Sequence, residues 1–154
     1  MSPLASKALE IAVTQIGQEE KPRGSNWGHP VQDYLEVVSI NFPASWCMAF
    51  VQWCLSRAEK DIHWIDNMPL YRSGGVLNVY NHTDPSKIFH TPEPGDIFIQ
   101  DHGHGLGHTG FVESVDGDNI HTIEGNTNDT GSREGYEVCR RVRLASSCKA
   151  FIRI

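Results

Sequence analysis

The hydrophobic pattern of the chain changes its period once, near Pro94, and this change limits the fold more than any other feature. Before Pro94, apolar residues recur three and four positions apart, as on one face of an amphipathic helix. After it, apolar and polar residues alternate in short runs separated by Gly, Asp and Asn, which is typical of strands and tight turns. Helices followed by antiparallel strands predict an α+β fold, with N-terminal helices packed on a C-terminal sheet of about five strands.

The boundaries of these elements follow from local signals. Ser2-Pro3 is a typical helix start, and Gly17 ends the first helical pattern. Further helices are predicted over residues 31–38, from about Ser45 onward, and as a short segment near residues 70–80. Strands are predicted over residues 97–99, 109–115, 119–123, 136–143 and 150–154. Asp116-Gly117-Asp118-Asn119 predicts a hairpin between two of them.

Length and composition favour one domain, residues 1–154, since 154 residues suit one core and no linker or repeat divides them. The net charge of −6 argues against a nucleic-acid partner, which would require a basic surface. No apolar run approaches the roughly 20 residues of a membrane span. The N-terminus has no secretory signal, so we expect synthesis in the cytoplasm without a signal peptide.

Cys47 is the first candidate for a chemical role. It lies at the predicted first turn of the helix that follows Pro43, where unpaired N–H groups and the helix dipole favour a thiolate. The same N–H groups can form an oxyanion hole. The alternative is a buried, inert cysteine, and we interpret Cys54, seven residues further along the same helix, in that way.

His108 and Glu124 are candidates for a base and its orienting group. His108 follows a Gly-rich loop and is predicted to open a strand, which would hold its ring rigidly. Glu124 ends the next predicted strand, so the hairpin between the two strands would place Glu124 nearly opposite His108. A carboxylate there can fix the tautomer of an imidazole, as the third member of a catalytic triad does. The alternatives are a polar turn histidine and a turn-forming Glu-Gly-Asn.

Two other interpretations involve histidines and cysteines. His102, His104 and His108 could bind zinc, but their spacing fits no helical zinc motif, and we predict neither a functional metal nor a cofactor. The chain has four cysteines without CxxC spacing. Cys139 and Cys148 could face each other across a turn, although a reducing compartment disfavours a disulfide.

Four ordered motifs resemble those of CHAP domains, the cysteine, histidine-dependent amidohydrolases/peptidases related to NlpC-type enzymes. The resemblance runs from about residue 10 to the end of the chain. The motifs are Ser45-Trp46-Cys47-Met48-Ala49-Phe50-Val51, Pro94-Gly95-Asp96-Ile97, Gly107-His108-Thr109-Gly110-Phe111-Val112 and Ile123-Glu124-Gly125-Asn126. Met48 departs from the alanine usual in the family, and no acidic calcium-binding loop is evident, so we expect no calcium.

The resemblance implies a papain-like core and a set of site residues. Cys47 would be the nucleophile, His108 the general base and Glu124 the group that orients His108, with Asn126 as an additional polar contact or an alternative orienting group. Residues expected to line the substrate cleft are Asn26, Trp27, Trp46 and His104.

The implied function is that of a cysteine hydrolase cleaving amide bonds in bacterial peptidoglycan, as an N-acetylmuramoyl-L-alanine amidase or a peptide endopeptidase. Its partners would be peptidoglycan or its stem peptides, together with a cognate immunity protein if the enzyme is an injected toxin. We expect it to act at the bacterial cell wall or periplasm after phage-type release or injection. The alternatives are an amidase of the same fold acting on a small amide, such as a glutathione conjugate, and a non-catalytic wall-binding module.

Overall fold

The computed structural model describes residues 1–127 and 135–154, and within them helices precede an antiparallel sheet. The helices are α1 (Pro3–Thr14), α2 (Val31–Val37), α3 (Cys47–Asp61) and α4 (Val76–Asn81). The strands are β1 (Ile88–Phe89), β2 (Ile97–Gly103), β3 (Leu106–Asp116), β4 (Asn119–Thr127), β5 (Glu137–Leu144) and β6 (Ala150–Ile152). The α+β prediction is confirmed. In the described part of the chain, no helix has the length and apolar character needed to cross a membrane.

The sheet has six strands in the order β1-β6-β2-β3-β4-β5, and all neighbours are antiparallel. The strand that was not predicted, β1, has only two residues and pairs with β6. The backbone of residues 17–20 lies along the start of β5, where Glu20 N–H donates to the Tyr136 carbonyl over 2.8 Å. The loop before α2 is thereby attached to the sheet.

The strand boundaries around His108 differ from the prediction. The Gly- and His-rich segment is not a loop, because β2 continues to Gly103 and β3 begins at Leu106. Only His104 and Gly105 form the turn, and both have positive φ, 56° and 76°. His108 is therefore the third residue of β3, paired with Gln100, rather than the residue that opens the strand. Pairing with β2 at this position holds the backbone of His108 more firmly than a strand-entry position would.

Helix α3 packs between helices α1 and α2 on one side and the sheet on the other, and glycine makes this close approach possible. A Cβ atom on Gly125 would lie 2.8 Å from Cζ3 of Trp46 and 2.8 Å from Cβ of Phe50. The ring of Phe50 meets that of Phe111 on β3 edge-on, with centroids 6.5 Å apart. Dense packing of this kind fixes the start of α3 against strands β3 and β4.

A buried ion pair fastens the C-terminus to the start of β2. Asp96 is almost fully buried and accepts two hydrogen bonds of 2.8 Å from the Arg153 guanidinium. Its carboxylate also accepts the Glu93 N–H over 2.8 Å. This explains the Pro94-Gly95-Asp96 motif structurally, because Asp96 joins a turn to the last residues of the chain.

We expect Asp96→Ala to lower the free energy of unfolding by about 3–5 kcal/mol, since it leaves a partly buried guanidinium without its main partner. Urea denaturation followed by circular dichroism measures this. Glu93→Ala is the matched control, because Glu93 faces the same Arg153 guanidinium at 3.5 Å but is mostly exposed. It should cost under about 1 kcal/mol. Equal effects of the two variants would contradict the role given to Asp96.

Candidate active site

Cys47 is the first residue of α3, as predicted from its position after Pro43. The N–H groups of a first helical turn have no partners within the helix, and the positive end of the helix dipole lies beside them. Both features stabilise negative charge on a sulfur at this position. Cys47 is 5% exposed, and it reaches solvent through a small cleft.

The residue before Cys47 is held by the loop that precedes α2. The indole Nε1–H of Trp46 donates to Oε2 of Glu20 over 2.8 Å, and Oε1 of Glu20 accepts the Gly24 N–H over 2.9 Å. Both Trp46 and Glu20 are buried, and the Trp46 ring stacks on Tyr34 with centroids 5.7 Å apart. The prediction that Trp46 lines the substrate cleft is therefore wrong. Trp46 anchors the start of α3 from inside the core.

His108 lies between Cys47 and Glu124. Its Nε2–H donates to Oε1 of Glu124 over 2.7 Å, which leaves Nδ1 for a hydrogen bond with the Cys47 thiol. Burial would lower the pKa of His108, but the hydrogen bonds with Cys47 and Glu124 outweigh it and raise this pKa to about 9. The imidazole is thus favoured in its charged form, the partner that a thiolate requires.

Glu124 is fully buried and hydrogen-bonded on both carboxylate oxygens. Besides His108, it binds the Arg143 guanidinium through both oxygens, and Oε2 accepts the Thr122 hydroxyl over 2.6 Å. Burial would raise the pKa of Glu124, but the hydrogen bonds from Arg143 and His108 hold it at about 2. Gly110 leaves room for this side chain, since a Cβ there would lie 2.8 Å from Cγ of Glu124.

The cleft beside Cys47 has a volume of about 150 Å³. Its lining consists mainly of small or backbone-exposing residues: Ser45, Cys47, Gly74, Gly75, Val76, Gly105, Leu106, Gly107, His108 and Asn126. One wall is the segment that leads into α4, and the other is the turn between β2 and β3. Cys47 and His108 both line this narrow opening, so a group that enters it would meet both side chains.

Asn126 lies in the cleft wall, and its side-chain oxygen Oδ1 is buried without a hydrogen-bond partner among the described residues. Its φ of 56° is left-handed, which asparagine adopts more readily than most residues. The three other residues predicted to contact substrate, Asn26, Trp27 and His104, do not line this cleft. His104 is nearest in sequence, since its neighbour Gly105 does line it.

The zinc interpretation of the histidines finds no support in the described residues, where no three His, Cys, Asp or Glu side chains converge on a possible ion site. His108 is engaged with Glu124 and Cys47, and His102 hydrogen-bonds Gln100 over 3.2 Å. Cys139 and Cys148 form no disulfide in this structure.

Three residues of the site were missed from the sequence: Arg143, Thr122 and Glu20. Arg143 and Thr122 lie on strands that were predicted, but their approach to Glu124 depends on the pairing of β4 with β5. Glu20 lies in a polar loop with no local sign that its carboxylate is buried. For Arg143, the alternation of residues along β5 was a sequence signal, since it places Arg141 and Arg143 on one face of the sheet.

A cysteine at a helix start, an imidazole in hydrogen-bond contact with it and a carboxylate behind the imidazole form the arrangement that cysteine hydrolases use. A family model, the CHAP domain, matches residues 39–126, which is more than half of the chain and includes all of these groups. The chain therefore belongs to the CHAP domain family. Members of this family are typically hydrolases of the amidase and peptidase type.

Two solved structures resemble this chain in fold. The crystal structure of Ly7917 has a TM-score of 0.56 at 19% identity, over 97% of this chain and 61% of that chain. The crystal structure of Ly7917 with the hydrolyzing product of MDP has a TM-score of 0.55 at 14% identity, over 97% of this chain and 62% of that one. The chain thus spans about three-fifths of the length of these chains. No curated protein shows significant similarity to it.

Proposed function

We propose that this protein is a cysteine hydrolase that cleaves amide bonds in bacterial peptidoglycan. The observation that carries the proposal is the line of three groups Cys47, His108 and Glu124: Cys47 and His108 interact at an open cleft, and the imidazole is hydrogen-bonded to Glu124 behind it. A line of this kind has a nucleophile, a proton carrier and an orienting carboxylate in the order that acyl transfer requires.

The reaction follows from the order in which these three groups lie. The Cys47 thiolate attacks the amide carbonyl, and backbone N–H groups at the start of α3 stabilise the resulting oxyanion. When the C–N bond breaks, the His108 imidazolium gives its proton to the leaving amine, and a thioester remains on Cys47. His108, now neutral, takes a proton from water, which attacks the thioester and releases the acid. The C–S bond breaks as the acid forms, and this leaves Cys47 as the thiolate beside the imidazolium that His108 has just become.

Support for peptidoglycan as the substrate comes from the family and from the neighbouring structure. Ly7917 has been crystallised with the hydrolyzing product of MDP, and this chain shares its fold. We propose that the bond cut is either the amide next to muramic acid or a peptide bond in the stem or cross-bridge. We further propose action at the bacterial cell wall, as a phage-type lysin or an injected toxin, with an immunity protein expected in the second case.

The test is digestion of purified peptidoglycan, with new primary amines measured and the products identified by mass spectrometry. We expect amines to appear with the wild-type protein and not with Cys47→Ala. A glutathione conjugate of similar size is assayed in parallel. Hydrolysis of that amide with intact peptidoglycan would overturn the substrate proposal, and hydrolysis of neither by folded protein would overturn the hydrolase proposal.

A further inference from the structure

Arg143 makes the most extensive contact with Glu124, although it lies on β5, outside all four motifs of the family resemblance. Its Nη2–H donates to Oε1 over 2.6 Å and its Nε–H donates to Oε2 over 2.5 Å. A guanidinium that binds a carboxylate through two parallel hydrogen bonds fixes both its position and its plane. With His108 on Oε1 and Thr122 on Oε2, each oxygen of Glu124 accepts two hydrogen bonds.

This fourfold contact leaves Glu124 one orientation. A carboxylate oxygen accepts about two hydrogen bonds, so no acceptor position remains for a competing donor. Without Arg143, rotation of the buried carboxylate would be opposed only by Thr122 and by the His108 bond itself. Since Oε1 of Glu124 determines where Nε2 of His108 lies, it also determines where Nδ1 meets the sulfur of Cys47.

The charges around Glu124 also indicate that Arg143 holds this carboxylate in place. A fully buried carboxylate without a cation is costly, and the His108 imidazolium loses its proton during each catalytic cycle. Arg143 keeps its charge throughout and stays next to Glu124 when His108 is neutral. The other titratable groups near this pair are Cys139 and Cys148. Burial raises the pKa of Cys148 to about 11, so this thiol remains neutral and cannot replace either charge.

We propose that Arg143 is a positioning residue of the active site, which holds Glu124 in the orientation that aligns His108 with Cys47. Arg143 does not line the cleft, so it acts through Glu124 rather than on the substrate. This inference rests on the proposed hydrolase function and extends it by one residue.

We expect Arg143→Met to lower kcat about 100-fold and to leave KM within about twofold, because a misplaced catalytic group slows the chemical step without removing contacts to the substrate. Arg143→Lys should recover part of this loss, since lysine retains the charge but not the forked geometry. Kinetics on peptidoglycan fragments measure both values. A rise in KM at unchanged kcat would overturn the proposal.

The matched control is Arg140→Met. Arg140 lies on the same strand and binds Glu113 by the same forked arrangement, with two N–O distances of 2.9 Å, but this pair is on the exposed surface. Its removal should leave kcat unchanged. An equal loss of activity in the two methionine variants would show that β5 only needs its ion pairs for stability, and would overturn the proposal.

A double-mutant cycle tests whether Arg143 acts through Glu124. In a Glu124→Gln background, Arg143→Met should cost less than about threefold in kcat, because the group that it positions has already been changed. A further 100-fold loss in that background would mean that Arg143 acts independently of Glu124, and would overturn the proposal.

Proton NMR separates this proposal from the proposed function. The proton between Nε2 of His108 and Glu124 should give a far-downfield resonance in wild type and in Arg140→Met, and this resonance should be lost in Arg143→Met and partly kept in Arg143→Lys. If the resonance follows this pattern while no amide is hydrolysed, the hydrolase function fails and the positioning role stands. A resonance that is unchanged in folded Arg143→Met or Arg143→Lys overturns the positioning role alone.

Discussion

Cys47→Ala is expected to abolish amide hydrolysis and to leave the fold intact. The variant removes the sulfur that forms the acyl intermediate in the proposed mechanism, and substitution of a catalytic nucleophile costs roughly a millionfold in kcat. The thiol is small and borders the cleft at the edge of the core, so the free energy of unfolding should change by about 1 kcal/mol. Amine release from peptidoglycan measures the activity, and circular dichroism measures the fold.

Cys54→Ala is the matched control for this prediction. Cys54 lies on the same helix, is fully buried in the core, and burial raises the pKa of its thiol well above the usual value. It should remain inert, so the variant should keep full activity and lose about 1 kcal/mol of stability through the small cavity. Normal activity in folded Cys47→Ala, or loss of activity in folded Cys54→Ala, would contradict the assignment of the nucleophile.

Glu124→Ala is expected to lower kcat about 10²- to 10³-fold, less than Cys47→Ala does, because Cys47 and His108 remain and Asn126 lines the same cleft as His108. The free energy of unfolding should fall by about 3–5 kcal/mol at neutral pH, since the partly buried Arg143 loses its partner. The pKa of Glu124 is lowered from 4.5 to about 2 on folding, so its contribution to stability is present above pH 4.5. The difference in the free energy of unfolding between the wild type and Glu124→Ala should therefore become smaller as the pH falls from 4.5 through about 2.

The control for this second prediction is Glu113→Ala, which removes a carboxylate on β3 from an exposed pair with Arg140 on β5, across the intervening strand β4. It should cost at most about 1 kcal/mol and no activity. Urea denaturation at several pH values and steady-state kinetics compare the two variants. A wild-type rate for Glu124→Ala would exclude Glu124 as the orienting group and leave Asn126 as the candidate.

The parts of the site that depend on local signals were predictable from the sequence. Cys47 begins a helix because Pro43 breaks the chain before an uninterrupted apolar segment, and this is visible in the residues themselves. The order of helices and strands follows from the change in hydrophobic period near Pro94. These features depend on neighbours within a few positions, so one sequence contains the information.

The parts that depend on tertiary pairing were not predictable. The contact between Arg143 and Glu124 joins residues 19 positions apart, and that between Glu20 and Trp46 joins residues 26 apart. To predict either contact, one must know the register of two strands or the path of a loop. No pattern in a single sequence specifies these. The burial of Trp46 was missed for the same reason, because its partner is a carboxylate in a segment that is polar throughout.

The strands hold His108 and Glu124 and the loops form the cleft walls, and this determines where the protein can be altered. Glycines at positions 110 and 125 keep the catalytic groups within reach of each other, so the middle of the sheet tolerates no added atoms there. The cleft walls come instead from the segment before α4 and from the turn between β2 and β3. Gly105 in this turn should be kept, because its φ of 76° strains any other residue although a Cβ atom there would meet nothing within 4 Å. Libraries that aim at new substrates should therefore vary the two rims and leave the strands untouched.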